Sequence, residues 1–191
     1  MNDLGLFFQT GWHHIVGWDA LDHILFIIAL TALYLLKNWK QVLILVTAFT
    51  IGHSLTLALS VYDLVPVNER LVEFLIPLTI AATAIFNFVV KDLSTNSVWL
   101  NYFFALFFGL IHGLGFANTI RFMLSSDQHI GMPLLSFNLG LEIGQIIIVT
   151  GILLVSFVVV TLLRVNQTWW IRCLSGIALL MSIKMMAERL T

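Results

Sequence analysis

Long apolar runs, separated by short polar stretches, divide the chain into six segments. They cover residues of about 18–36, 41–61, 71–90, 99–124, 133–163 and 169–187. Because about 20 apolar residues cross the hydrocarbon core of a bilayer as a helix, each run predicts one transmembrane helix. The fifth run is longer than a straight crossing needs, which predicts a tilt or an extension beyond the core.

The segment before the first run carries apolar residues at helical spacing. Leu4, Phe8, Trp12 and Ile15 recur three or four positions apart, which predicts a short helix with one apolar face. We expect this helix to lie in the membrane interface, and a frayed terminus is the alternative. The whole pattern predicts an all-α polytopic membrane helix bundle: a single transmembrane domain, residues 1–191, with six transmembrane helices and a short N-terminal interfacial helix.

Composition supports the membrane assignment and excludes other classes. Hydrophobic residues make up 60% of the chain and charged residues 10%, whereas soluble domains have roughly 45–50% and about 25%. The net charge of −1 gives no basis for binding nucleic acid. The single cysteine, Cys173, excludes an internal disulfide and a cysteine cluster.

Two of the runs contain a similar short stretch. The letters FTIGH at 49–53 resemble FNLGLE at 137–142, and His23 and His112 fall at a similar offset in the first and fourth runs. Two halves of three crossings must point in opposite directions, so this likeness predicts a 3+3 inverted repeat, an arrangement common in transporters. Chance likeness between two apolar runs is the alternative.

The polar residues inside the runs share one depth. Because successive spans alternate in direction, a rise of about 1.5 Å per residue places them in the same half of the bilayer, and only Asn87 falls in the other half. Ionisable groups in lipid cost about 2.5–3.5 kcal/mol each on insertion scales, so such groups indicate a function. The residues at this level are Asp22, His23, His53, Glu73, His112, Asn138, Glu142 and Gln145.

Helical spacing also assigns residues to faces. Asn138, Glu142 and Gln145 form one stripe at positions i, i+4 and i+7 of the fifth run. Pairs of glycines four residues apart let two helices approach closely. We expect such packing at Gly140 with Gly144 and at Gly109 with Gly113.

Imidazoles and carboxylates at one level offer nitrogen and oxygen ligands to a divalent transition-metal ion, such as Ni, Zn, Co or Fe. The predicted metal ligands are Asp22, His23, His53, His112 and Glu142. The predicted secondary residues are His14, Asp19, Glu73, Asn138 and Gln145. Asp22 can instead orient a histidine without binding the ion. A polar network that only joins helices is the competing interpretation.

Four stretches of the chain resemble the HupE/UreJ family of membrane proteins, regarded as nickel permeases. They are Gly11…His14-Ile15…Asp22-His23, TAFTIGHSLTLAL at 47–59, FGLIHGLGFA at 108–117 and FNLGLEIGQ at 137–145. The resemblance covers nearly the whole chain. It implies six spans, the inner (cytoplasmic) membrane of a bacterium, and transport of Ni²⁺ or a related divalent ion. The Asp-His pair of the family corresponds to Asp22 and His23.

We therefore expect a divalent-metal transporter, and an enzyme is the less favoured alternative. Its expected partners are the lipid bilayer and the metal ion, with a homo-oligomer or a partner membrane protein left open. An intramembrane metalloenzyme and a metal-binding accessory membrane protein are the alternatives, since either could use a one-sided His, Asp and Glu site. The sequence has no ATP-binding motif, so transport would use a gradient, a membrane potential or a separate partner.

Overall fold

The computed structural model describes residues 3–17, 20–90, 95–123 and 130–190. These parts of the chain contain eight α-helices and no strand, which confirms the all-α prediction. The helices are α1 (Asp3–Val16), α2 (Leu21–Thr31), α3 (Trp39–Val61), α4 (Glu69–Val89), α5 (Thr95–Gly115), α6 (Ala117–Met123), α7 (Gly131–Ser156) and α8 (Gln167–Leu190). A 3₁₀ turn, Leu36–Asn38, precedes α3, and a π-helical turn, Phe157–Leu162, continues α7.

Four continuous helical segments in the described parts are long and apolar enough to cross a membrane. They are Leu36–Val61, Glu69–Val89, Gly131–Leu162 and Gln167–Leu190. Two further crossings result if each of two bent pairs is a broken span: α1 with α2, bent by 63°, and α5 with α6, bent by 48°. The bundle is thus polytopic with four to six spans, and the predicted six correspond to the upper number.

Helix α1 differs from the predicted interfacial helix, because it packs lengthwise against α7 inside the bundle. Ser136 Oγ donates a hydrogen bond of 2.6 Å to the carbonyl of Leu4. Further along, the backbone of Gly11 approaches the carbonyl of Phe137, and Gly144 faces the side chain of Ile15. The contacts advance along both helices together, so α1 and α7 run parallel. The missing side chain at Gly11 is what lets the two backbones approach.

Helices α3 and α5 form a second closely packed parallel pair. Gly52 lies against the backbone of Leu106 and Leu110, while Gly109 lies against the carbonyl of Phe49. Gly113 lies against the carbonyl of His53 one turn later. Close packing at Gly109 and Gly113, and at Gly140 and Gly144 of the first pair, was predicted from their spacing and is confirmed.

The two helix pairs have the same register. A side chain at Gly11 would strike the carbonyl of Phe137, and one at Gly109 would strike the carbonyl of Phe49. Residues 137–140 of α7 therefore correspond to residues 49–52 of α3, as the predicted repeat requires. The counterpart of His112 is His14, three residues after Gly11, and not His23 as the sequence comparison proposed. The two halves interlock, because α1 packs on α7 and α3 packs on α5.

Polar contacts at the two ends of the bundle define its sides. At one end, Arg121 of α6 pairs with Asp63 at 2.7 Å, and Arg189 of α8 donates to the carbonyl of Glu73 at the start of α4. At the other end, Asn87 Nδ2 donates to the carbonyl of Ala29 at 2.7 Å. The start of α1 lies beside the start of α7, on the same side as the end of α8. Many large apolar side chains are exposed on the helices between the two ends, as is typical of a surface in contact with lipid.

Candidate metal centre

His23 is held at the start of α2 by its neighbour Asp22. The carboxylate oxygen Oδ1 of Asp22 accepts a hydrogen bond of 2.8 Å from the backbone N–H of His23 and lies 2.9 Å from its Nδ1. A proton on Nδ1 satisfies this contact, which leaves the lone pair on Nε2. That Nε2 is buried and has no hydrogen-bond partner among the residues that the structure describes. Asp22 therefore contacts His23 in the way expected of an orienting group.

His14, His23 and His53 come from three different helices and meet in the bundle. Each offers one ring nitrogen, and these three atoms all lie within 4.8 Å of one another. The ring of His14 is 4.5 Å from that of His23 and 5.6 Å from that of His53, measured between centroids. We call these three residues the histidine triad.

The triad has unused hydrogen-bonding capacity. Four ring nitrogens are buried without a hydrogen-bond partner in the described parts of the chain: His14 Nε2, His23 Nε2 and both nitrogens of His53. An unsatisfied buried polar group typically costs about 1–3 kcal/mol, so a structural network that only joined helices would be expected to pair these atoms. A metal ion bound between them would use the lone pairs that the protein leaves free.

His112 of α5 lies beside the triad, with its ring centroid 5.0 Å from that of His23. Its Nε2 is 3.1 Å from Thr79 Oγ1, and that hydroxyl donates its only proton to the carbonyl of Ile76 at 2.7 Å. Nε2 must therefore be the donor to Thr79, which leaves the lone pair of His112 on Nδ1. No described residue forms a hydrogen bond with this buried Nδ1, so His112 offers a fourth nitrogen next to the triad.

A layer of phenylalanine rings lies one helical turn deeper than the histidines. Phe26 follows His23 on α2, while Phe49 and Phe108 precede His53 and His112. Ring centroids of Phe26 lie 5.0 Å from Phe49 and 6.0 Å from Phe108. These three residues form what we call the phenylalanine layer, which separates the histidines from the far end of the bundle.

A cavity of about 520 Å³ reaches the histidines from the side of the bundle on which α1 begins. Residues of α1 and α2, including Gln9, His13, His14, Asp22 and His23, line it together with Phe116. His53 and His112 lie behind these residues, 0% and 1% exposed. The site is accordingly open toward one side and closed toward the other.

The structure does not bring all predicted site residues together. Glu142 is outside the triad, and its Oε1 accepts a hydrogen bond of 2.7 Å from Thr47. Gln145 likewise accepts from Thr50 at 2.7 Å. Both belong to a polar contact between α7 and α3. The Oδ1 of Asn138 is buried and has no hydrogen-bond partner within residues 3–17, 20–90, 95–123 and 130–190.

Of two other predicted residues, Glu73 lies apart from the triad and Asp19 is not among the described residues. Glu73 is exposed near the start of α4. His14, which the sequence suggested only as a secondary residue, belongs to the triad. The signal that could have identified it is the Gly-x-x-His spacing that residues 11–14 share with residues 109–112.

A comparison with families of known proteins matches residues 1–189 to the family described as HupE / UreJ protein. The matched residues include His14, His23, His53 and His112. They also include all eight helices, apart from Leu190 at the end of α8. No curated protein and no solved structure matches the chain.

Proposed function

The chain belongs to the HupE / UreJ family, and from that premise we propose that it is a permease for a divalent transition-metal ion, Ni²⁺ or one of similar chemistry. The observation that carries the proposal is the histidine triad, whose buried nitrogens lie within 4.8 Å of one another. The proposed membrane is the inner membrane of a bacterium, as the resemblance implies. A homo-oligomer or a partner membrane protein remains a prediction.

The donor set favours a borderline transition-metal ion over a hard or a soft one. Neutral imidazole nitrogens suit Ni²⁺, Zn²⁺ and Cu²⁺, whereas Mg²⁺ and Ca²⁺ prefer oxygen ligands. The only cysteine, Cys173, is exposed on α8. We propose His14, His23 and His53 as ligands, with Asp22 orienting His23 and supplying a negative charge. His112 Nδ1 is the nearest further donor.

The position of the triad relative to the helix breaks supports transport. His14 precedes the break between α1 and α2, and His23 follows it. A change of the 63° bend would therefore move one ligand relative to the other. Substrate sites at broken helices between two inverted halves are common in secondary transporters, where the halves move against each other.

Passage of the ion requires the phenylalanine layer to open. In the described conformation the cavity leads to His14 and His23, and Phe26, Phe49 and Phe108 close the other side. We propose that this conformation, open on one side only, is one of the two end states of an alternating-access cycle. The same one-sidedness favours the second candidate, an accessory protein or metalloenzyme that binds the ion without releasing it to the far side.

Uptake of Ni²⁺ into proteoliposomes that contain only this protein separates the candidates. The proposal predicts uptake that saturates with Ni²⁺ concentration and is lost in His23→Ala. A matched control is Lys184→Gln, which changes an exposed cation that pairs with Glu188 on α8. Stoichiometric binding without uptake would favour the second candidate, and neither binding nor uptake would reject both.

A further inference from the structure

A proline in α4 explains why an arginine of α8 lies beside the metal centre. Pro77 has no N–H, so the carbonyl of Glu73, four residues earlier, loses its helical hydrogen bond. Arg189 Nη1 donates to this carbonyl. The guanidinium is thereby tethered to the start of α4 through Nη1.

The other end of the same guanidinium faces Asp22. Arg189 Nη2 lies 3.7 Å from Asp22 Oδ2, while Oδ1 of that carboxylate contacts His23 at 2.9 Å. The Asp22 carboxylate thus lies between a tethered cation and a histidine of the triad. The side chains of Arg189 and Asp22 are 25% and 14% exposed, so water screens their attraction only in part.

Arg189 also has space into which it can move. It lines a second cavity of about 750 Å³, together with Arg70, Glu73 and Glu188 among others. Rotation of the guanidinium away from Asp22 would place it in this cavity, whose lining has two carboxylates, of Glu73 and Glu188, and one other cation, Arg70.

We infer that Arg189 is a tethered counter-cation of the metal centre, which neutralises Asp22 in the absence of the metal ion and weakens binding of the ion. The inference rests on the proposed function and adds a determinant of affinity to it. A divalent ion at the triad repels the guanidinium and attracts Asp22, so the ion competes with Arg189 for the same negative charge. This competition keeps the ion from being held too tightly to be released.

Calorimetric titration with Ni²⁺ alone tests the inference on the purified full chain. Arg189→Gln keeps a donor for the Glu73 carbonyl but removes the charge, so we expect its dissociation constant for Ni²⁺ to fall roughly tenfold, as relief of one partly screened repulsion allows. Arg189→Lys, which keeps the charge, should resemble the wild type. Lys184→Gln removes a charge from the same helix without contact to Asp22 and should have no effect.

Two further measurements keep the test decisive. In the Asp22→Asn background, Arg189→Gln should tighten Ni²⁺ binding much less, because the carboxylate that the two cations share is absent. Without metal, Arg189→Gln should lower the midpoint of thermal unfolding, and Arg189→Met provides a second charge-free variant if the first does not fold.

The outcomes separate this inference from the proposed function. Normal Ni²⁺ binding by the wild type with unchanged or weaker binding by Arg189→Gln would overturn the inference and leave the metal site intact. An equal effect of Arg189→Gln with and without the Asp22 carboxylate would also overturn it. Absence of Ni²⁺ binding in the wild type would reject the proposed function, and the inference with it.

Discussion

The α1·α7 pair and the α3·α5 pair are packed alike but carry different numbers of histidines near the metal centre. In each, a glycine of one helix lies against the carbonyl of a phenylalanine of the other, Gly11 on Phe137 and Gly109 on Phe49. In each, a histidine follows that glycine by three residues. The backbone geometry is therefore repeated, as expected for two halves of one architecture.

The partner helices differ at the position that faces this contact. Gly109 approaches the backbone of His53, and Gly11 approaches that of Leu141. The α3·α5 pair thus supplies His53 and His112, both buried, whereas the α1·α7 pair supplies His14 alone, at the wall of the cavity. A repeated scaffold thus presents an asymmetric set of imidazoles, with the half-buried His14 on one pair and the buried His53 and His112 on the other.

The largest expected effect comes from the shared packing. Gly11→Val and Gly109→Val should each lower the free energy of unfolding by about 3 kcal/mol or more, because the new side chain would overlap a helix backbone that cannot rotate away. Thermal unfolding in detergent measures this. Gly151→Val and Gly176→Val are the controls, since a Cβ there would meet no other described part of the chain within 4 Å beyond its own helical turn. If only one of the two substitutions destabilised the protein, the α1·α7 and α3·α5 pairs would not be packed alike.

A smaller effect is expected from the ligands, and it should be of similar size in both pairs. His14→Ala and His53→Ala should each weaken Ni²⁺ binding by about 10–100-fold, because each removes one of three nitrogens from the site, a loss at least as large as that of an orienting partner. Calorimetric titration of the folded variants measures the loss. Full-strength binding by His14→Ala would restrict the centre to the α3·α5 pair and α2.

Glu142→Gln tests whether α7 also contributes to the metal centre, because it alters the α7 carboxylate that accepts a hydrogen bond from Thr47. We expect Ni²⁺ affinity close to that of the wild type. Weakening as large as that in His53→Ala would return Glu142 to the ligand set that the sequence proposed.

Much of the fold could be predicted from the sequence, because hydropathy and helical spacing fix where spans and glycine contacts lie. Depth could also be counted, and the rings of His53 and His112, which it placed at the level of His23, lie 6.2 Å and 5.0 Å from the His23 ring. Depth does not fix the direction in which a side chain points around its helix. Glu142 shares that depth, but it faces the hydroxyl of Thr47 on α3 and not the imidazoles.

The role of α1 could not be derived from its own pattern. Leu4, Phe8, Trp12 and Ile15 give a face that suits either an interface or a neighbouring helix. Only the tertiary contact of Gly11 with α7 decides between them. The place of Arg189 also depends on tertiary structure, since it follows from a carbonyl that Pro77 leaves free on another helix.

X-ray absorption at the nickel edge of the Ni²⁺-loaded protein tests whether the histidine triad binds the ion, because it counts the imidazoles bound to the metal. The account predicts a first shell with three imidazole nitrogens from His14, His23 and His53, and the loss of one imidazole in His14→Ala. A shell of oxygen ligands without imidazole, or a spectrum of His14→Ala or His53→Ala identical to that of the wild type, would contradict it.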